Sequence, residues 1–283
     1  MSIKFGAYGL LWTARLTREE LFVLDKSRQM GFDGIEVPLL SHMIDTLPYA
    51  ELKRVARETG IQYTCSTGLG RETSIISDEA KTRRRGIDFL KRCIDQAAEL
   101  GSEVLSGVLY APWAVLSGAW RTRAEITHCV ESLREVAGFA GSRSVTLALE
   151  PVNRYEGYFL NTCAQGLELI REIDSPFIKL HLDTFQMNIE ESSMYEAITS
   201  AGRDLYHFHV CASHRGIPGK DLIDWSKVFQ GLKEIHYDKW MVIESFAPDN
   251  PEIAKNVSIW RQLAPSNDAI AKEGLEFLKR HLT

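Results

Sequence analysis

Residues Ser144–Glu150 read Ser-Val-Thr-Leu-Ala-Leu-Glu, and Pro151 follows at once. At the two-residue period of a β-strand, Val145, Leu147 and Leu149 share one face, and Thr146, Ala148 and Glu150 share the other. The first face is wholly apolar and must be covered. The second ends in a carboxylate, which is costly to take out of water unless it is paired or holds a metal. The fold has to supply a cover for one face and company for the other.

The same unit recurs along the chain. Short β-rich runs stand at Ile3–Tyr8, Gly34–Pro38, Ile61–Ser66 and Glu103–Leu109, then at Ser144–Glu150, Phe177–Asp183, Leu205–Val210 and Trp240–Ser245. A helical pattern follows each. The first begins at Thr17, with Glu20 three residues on as a capping box. The others cover Pro48–Thr59, Asp78–Leu100, Arg121–Phe139, Thr162–Ile173, Glu190–Ala201 and Trp225–Ile235, and the eighth unit has two pieces, Pro251–Leu263 and Asn267–His281. Gly31, Gly60, Gly101 and Gly202 fall where left-handed helix caps favour glycine. Eight strand-then-helix units predict an α/β fold, a single (β/α)8 TIM barrel over residues 1–283 with an additional C-terminal helix. A doubly wound open sheet is the rival, but neither G-x-G-x-x-G nor G-x-x-x-x-G-K-[ST] occurs.

The later strands carry the same two faces. Leu180 and Leu182 oppose Lys179, His181 and Asp183; Tyr206, Phe208 and Val210 oppose Leu205, His207 and His209; Met241 and Ile243 oppose Trp240, Val242 and Glu244. The apolar face would meet helices and the mixed face would line the barrel axis.

Composition narrows the function classes. Of 283 residues, 45% are hydrophobic and 25% charged, as in a globular protein with a sizeable core. The net charge of -5 speaks against nucleic acid as a partner. The one basic run, Lys81–Arg85, reads as a solvated helix face. Five cysteines, with no Cys-x-x-Cys, fit reduced thiols in a cytosolic protein. No secretory signal pattern and no membrane-length apolar run occur, so a cytoplasmic protein that avoids membranes is expected.

Four strand ends now matter together. Glu150, Asp183, His209 and Glu244 close successive strands on the mixed face, about one unit apart. In a barrel they would converge on the rim where active sites are built. Any one of these acids alone is equally explained as a helix cap or a lysine's partner. Three carboxylates and an imidazole together would repel unless a divalent cation joined them. Oxygen-rich ligands with one nitrogen suit Mn²⁺, Co²⁺ or Mg²⁺ better than a closed zinc site.

These residues carry a resemblance. The stretches Leu149–Thr162 (LEPVNRYEGYFLNT), Leu182–Glu191 (LDTFQMNIEE), His207–Trp225 (HFHVCASHRGIPGKDLIDW) and Val242–Phe246 (VIESF) resemble the D-tagatose 3-epimerase/D-psicose (allulose) 3-epimerase family of xylose-isomerase-like TIM barrels. Gly31–Val37 and Gly107–Trp113 add support, so the likeness spans the chain. It implies that Glu150, Asp183, His209 and Glu244 hold the metal, usually Mn²⁺ or Co²⁺. It implies that Glu150 and Glu244 are also the acid/base pair, and that Glu156 and Arg215 contact sugar oxygens near C1 and C2. It further implies that Trp113, Tyr8 and Trp12 shape the pocket, and that the protein is a homodimer or homotetramer acting on a free ketose. One departure stands out: the family's DTFHMN carries a substrate-contacting histidine where this chain has Gln186. Glutamine hydrogen-bonds but carries no charge near neutral pH. Gln186 is therefore expected as a pocket residue, with substrate choice the property it alters.

Epimerising the carbon next to a ketone needs one base on each side of the enediolate plane. Glu150 and Glu244, on strands five and eight, are placed to flank a bound sugar. A related sugar isomerase or an inosose dehydratase-type lyase would share the metal ligands but lack the Asn153–Glu156 and Arg215 pattern. Taken alone, Arg215 is as consistent with pairing to Glu156 or Asp221 as with sugar binding. His207 and His181 read as core histidines, His214 as an exposed loop residue, and Cys65 and Cys211 as small buried side chains without an obvious basic partner. Glu36, ending the second strand, is assigned no role.

Overall fold

The computed structural model describes residues 3–247 and 251–282. Eight parallel strands close into a barrel in chain order: β1 Lys4–Tyr8, β2 Gly34–Pro38, β3 Gln62–Leu69, β4 Val104–Pro112, β5 Thr146–Leu149, β6 Ile178–Asp183, β7 Leu205–Val210 and β8 Trp240–Ile243. Between and after them run α1 Phe22–Met30, α2 Tyr49–Thr59, α3 Ala80–Glu99, α4 Arg123–Ser142 and α5 Cys163–Ile173. Two short helices, α6 Thr184–Glu190 and α7 Met194–Ala201, follow β6; α8 Trp225–Glu234 follows β7; α9 Pro251–Val257 and α10 Asn267–Leu282 follow β8. This is the expected (β/α)8 barrel with its additional C-terminal helix.

The two strand faces sort as their alternation demands. Leu147, Leu149, Leu180, Leu182, Phe208, Val210, Met241 and Ile243 belong to one large buried cluster with the inward sides of the helices. A second, smaller cluster sits at the barrel mouth and joins Tyr8, Leu10, Met43, Val242, Phe246, Ile253 and Ile259. Burying one such apolar side chain stabilises the fold by about 1.5–3 kcal/mol. The barrel is therefore held from outside by helices and capped from above by loops.

Two helix boundaries differ from the sequence expectation. Thr17 and Glu20 do contact each other, the Thr17 N–H donating to Glu20 Oε2 at 3.0 Å, but the regular helix starts only at Phe22. The capping pair closes a turn that precedes the helix. After β6 the chain turns helical at once, because the Asp183 carboxylate accepts the Phe185 N–H at 3.0 Å and caps α6. Gly31 and Gly60 form the expected left-handed caps and Gly101 also has positive φ, whereas Gly202, at φ +49 and ψ -124, lies outside the left-handed helical region. The basic run lies on α3, where Arg84 pairs with Glu135 of α4 and Arg85 with Glu72.

A seam joins the two ends of the chain. β1 pairs with β8, and α10 holds the first unit from outside. Asn267 Nδ2 donates to the Leu11 carbonyl at 2.8 Å, and Asp268 accepts from Trp12 Nε1 at 2.8 Å and from Lys26 Nζ at 2.9 Å. No described helix is long and apolar enough to cross a membrane.

Candidate active site

The C-terminal ends of the strands open into a cavity of about 1000 Å³, its mouth included. That is the size of a small-molecule cleft. Tyr8, Trp113, Glu150, Glu156, Gln186, His209, Arg215 and Glu244 all line it. Asp183 is fully buried and is not among the lining residues. Trp12 is not either: its indole is drawn outward to Asp268 on α10.

Backbone contacts fix where Glu150 sits. Its N–H donates to the Gly107 carbonyl at 3.0 Å, and its own carbonyl accepts the Tyr110 hydroxyl at 2.8 Å. Gly107 has φ +115, and a Cβ there would lie 2.3 Å from the Thr67 carbonyl oxygen. Only glycine lets β4 approach β3 this closely while turning a carbonyl to Glu150. Asp183 and His209 are direct partners in the β6–β7 register, and Glu244 follows β8 with its N–H on the Val210 carbonyl at 3.1 Å.

The electrostatics of the four residues are unbalanced. Burial first, and the Glu244 charge second, push the Glu150 carboxyl well above the ordinary carboxylate range. The same two causes push Asp183 up to about 7. Burial would raise Glu244 as well, but Arg215 and His209 outweigh it and hold that carboxyl down. Within these four residues two buried polar atoms have no hydrogen-bond partner, Asp183 Oδ2 and His209 Nδ1; around them Arg215 Nε, His207 Nδ1 and both ring nitrogens of His181 are also unpartnered. His209 Nδ1 stands 3.3 Å from Glu244 Oε1, without the alignment of a hydrogen bond. Potential ligand atoms of Asp183, Glu244 and Cys211 lie within 4.8 Å of one another. His209 and Glu150 do not belong to that close group, but unpartnered polar atoms among crowded buried carboxylates fit a divalent cation, whose charge would reverse the upward shifts.

Arg215 lines the cavity beside Glu244 and reaches toward Glu156. Arg215 is a buried, left-handed residue at φ +61. Its Nη1 donates to Glu244 Oε2 at 2.5 Å, its Nη2 lies 3.5 Å from Glu156 Oε1, and its guanidinium stands 4.0 Å from the Phe185 ring centre and 5.0 Å from that of Phe246. Of the two partners open from sequence, Glu156 is the one it meets. Asp221 instead accepts the N–H groups of Gly219 and Ile223 within its own loop. Glu156 accepts Trp113 Nε1 at 3.0 Å, Asn153 Nδ2 at 2.9 Å and Gln186 Nε2 at 3.3 Å. Gln186 Oε1 in turn accepts the Asn153 N–H at 2.9 Å and its Nδ2 at 2.5 Å. The Gln186 amide is thus locked into the wall through both of its ends.

Three features were not foreseen. Cys211 has a basic neighbour, Arg215 Nη1 at 3.7 Å from its Sγ, yet burial still pushes its thiol well up. His214 is half-buried rather than exposed. Glu36 is fully buried and engages both His207 and His209. The signal for Glu36 was present in the sequence: it is a lone acid inside an otherwise apolar strand.

Comparison with known proteins points one way. A family model described as the xylose isomerase-like TIM barrel matches residues 24–281. A probable ketose 3-epimerase of Synechocystis sp. is 36% identical over 278 residues, covering 98% of this chain and 96% of its own. A D-psicose 3-epimerase of Enterocloster bolteae is 32% identical, with 98% and 95% covered. The crystal structure of a D-allulose 3-epimerase from Methylomonas sp. in complex with D-allulose superposes with a TM-score of 0.94 at 29% identity, covering 99% of this chain and 97% of the other.

Proposed function

The chain belongs to the xylose isomerase-like TIM barrel family and, within it, to the ketose 3-epimerases, and we propose on that footing a metal-dependent exchange of configuration at C3 of a free ketohexose or ketopentose. The enzyme is a carbohydrate epimerase acting on ketoses at C3. What supports the residue roles is one observation above all. Glu150 and Glu244, the residues just after β5 and β8, line the same cavity, while the unpartnered Asp183 Oδ2 and His209 Nδ1 belong to two other strand ends, those of β6 and β7.

Glu150, Asp183, His209 and Glu244 would hold the cation, with Mn²⁺ the best fit to this donor set and Co²⁺ or Mg²⁺ the alternatives. When bound, the ion supplies positive charge beside the ketone oxygen as that oxygen becomes anionic. One of the two glutamates takes the C3 proton, giving a cis-enediolate. The other returns a proton to the opposite face, and the roles exchange in the reverse direction. Arg215 keeps Glu244 ionised and, with Glu156, offers donors and acceptors to the oxygens at C1 and C2. Trp113, Tyr8 and Gln186 shape the rest of the pocket.

The test is proton exchange in D₂O with metal-loaded protein and D-fructose, D-tagatose, D-psicose or L-ribulose, followed by NMR. Deuterium at C3 together with the inverted sugar is expected, and neither in Glu150→Gln or Glu244→Gln. Inversion without deuterium uptake, or full activity in either variant, would refute the two-base assignment.

A further inference from the structure

Beneath the cavity lies a buried acid, Glu36, that the reaction just described does not use. Glu36 comes from β2, and His207 and His209 come from β7, which is not its neighbour in the sheet. The contact therefore spans the barrel interior. Glu36 Oε1 meets His209 Nε2 at 2.9 Å, and Oε2 meets His207 Nε2 at 2.6 Å. Oε2 also accepts the hydroxyl of Thr64, its direct register partner on β3, at 3.0 Å. A carboxylate with both oxygens so engaged is an acceptor only, so both imidazoles donate through Nε2. A neutral imidazole that donates through Nε2 keeps its lone pair on Nδ1. In His209 that atom is buried, lacks a hydrogen-bond partner and stands beside Glu244.

We propose that Glu36 is the positioning residue of the metal centre: by accepting the Nε2 hydrogen of His209 it fixes the bare Nδ1 toward Glu150, Asp183 and Glu244. The inference rests on reading those four residues as a metal centre. His181 completes the wall behind His209, its ring centre 4.1 Å away and tilted by 71°. Nitrogens of His181, His207 and His209 come within 4.8 Å of one another, but Glu36 already occupies Nε2 of the latter two. This group therefore acts as support for the rim site and not as a second cation site. A carboxylate on the far nitrogen of a ligating histidine sets its tautomer and ring orientation, and removing one typically lowers metal affinity about 10–100-fold.

The experiment titrates Mn²⁺ into metal-stripped wild type, Glu36→Gln and His207→Gln by calorimetry, and records the visible spectrum of each Co²⁺-loaded protein. Glu36→Gln sets an amide N–H against an imidazole N–H, and should bind Mn²⁺ about 10–100-fold more weakly with an altered Co²⁺ spectrum. His207→Gln retains a donor toward Glu36 and should bind close to wild type. Long-range ¹H–¹⁵N NMR of Mg²⁺-loaded wild type reads the tautomer without any substitution: His209 should carry its hydrogen on Nε2. Equal Mn²⁺ affinity and an unchanged Co²⁺ spectrum in Glu36→Gln, or a hydrogen on Nδ1 of His209, would overturn the proposal and leave the metal centre standing. Wild type that binds neither Mn²⁺ nor Co²⁺ would overturn both.

Discussion

Arg215→Met isolates what the buried guanidinium contributes. Methionine can still lie between Phe185 and Phe246, and its sulfur–aromatic contacts of about 0.3–1.5 kcal/mol largely replace the cation–π attraction. The left-handed backbone at φ +61 strains either residue alike, so that contribution cancels. What remains is chiefly the pair with Glu244, 2.5 Å long, between side chains only 5% and 11% exposed, since the second partner, Glu156, stands farther off at 3.5 Å and keeps three other donors. Removing one partner of a buried ion pair costs about 3–5 kcal/mol, because the other charge is left without compensation. Urea unfolding at pH 7 in EDTA, followed by far-UV circular dichroism, should show that loss. In a Glu244→Gln background the same substitution should cost less by up to about 3 kcal/mol, since the two residues are in contact. A loss under about 1 kcal/mol in the wild-type background would refute the reasoning. It would mean that desolvation cancels the attraction and that Arg215 does not hold Glu244 ionised.

Gly107→Ala should destabilise the protein by about 3 kcal/mol or more, seen as a lower melting temperature, because its Cβ would lie 2.3 Å from a backbone oxygen at a strained φ. Glu135 is held down to about 2 by Arg84 and Lys91. Its folded value lies below its unfolded one, so its stabilisation is present above about pH 4.5 and is lost as pH falls toward 2. At 39% exposure that contribution is under about 1 kcal/mol, and Glu135→Gln should match wild type near pH 2 and fall slightly below it at pH 7. EDTA should abolish C3 exchange, and Mn²⁺ at about a hundred times its Kd should restore it and add about 2.7 kcal/mol to unfolding stability.

The eight strand-then-helix units made the barrel legible in the sequence, and the alternation of faces along β5 to β8 supported it, because a strand with one face under helices and the other toward the barrel axis leaves a period-two record. The same period placed Glu150, Asp183, His209 and Glu244 on one rim. What escaped the sequence depends on partners far along the chain. Glu36 meets His207 and His209 at separations of 171 and 173 residues, and Trp12 is tied to Asp268 at 256. No local pattern encodes such distances. The start of α6 escaped for a different reason: Asp183 already had a reading as a strand end, and its second use as a helix cap was hidden behind the first. The left-handed φ of Gly107 lies inside a run that reads as an ordinary strand, and only the close approach of Thr67 shows why glycine stands there.

The seam between β1 and β8 has a consequence for how the protein is made. Translation delivers β1 first and its partner β8 last, so the nascent barrel carries an unmet hydrogen-bonding edge through most of synthesis. Asn267 and Asp268, which tie down Leu11, Trp12 and Lys26, emerge later still. Pairings this far apart in sequence form slowly and leave partly folded chains prone to aggregation. A ribosome that stalls before Trp240 releases an open sheet with two sticky edges, a substrate for chaperones and proteases with no residual activity of its own.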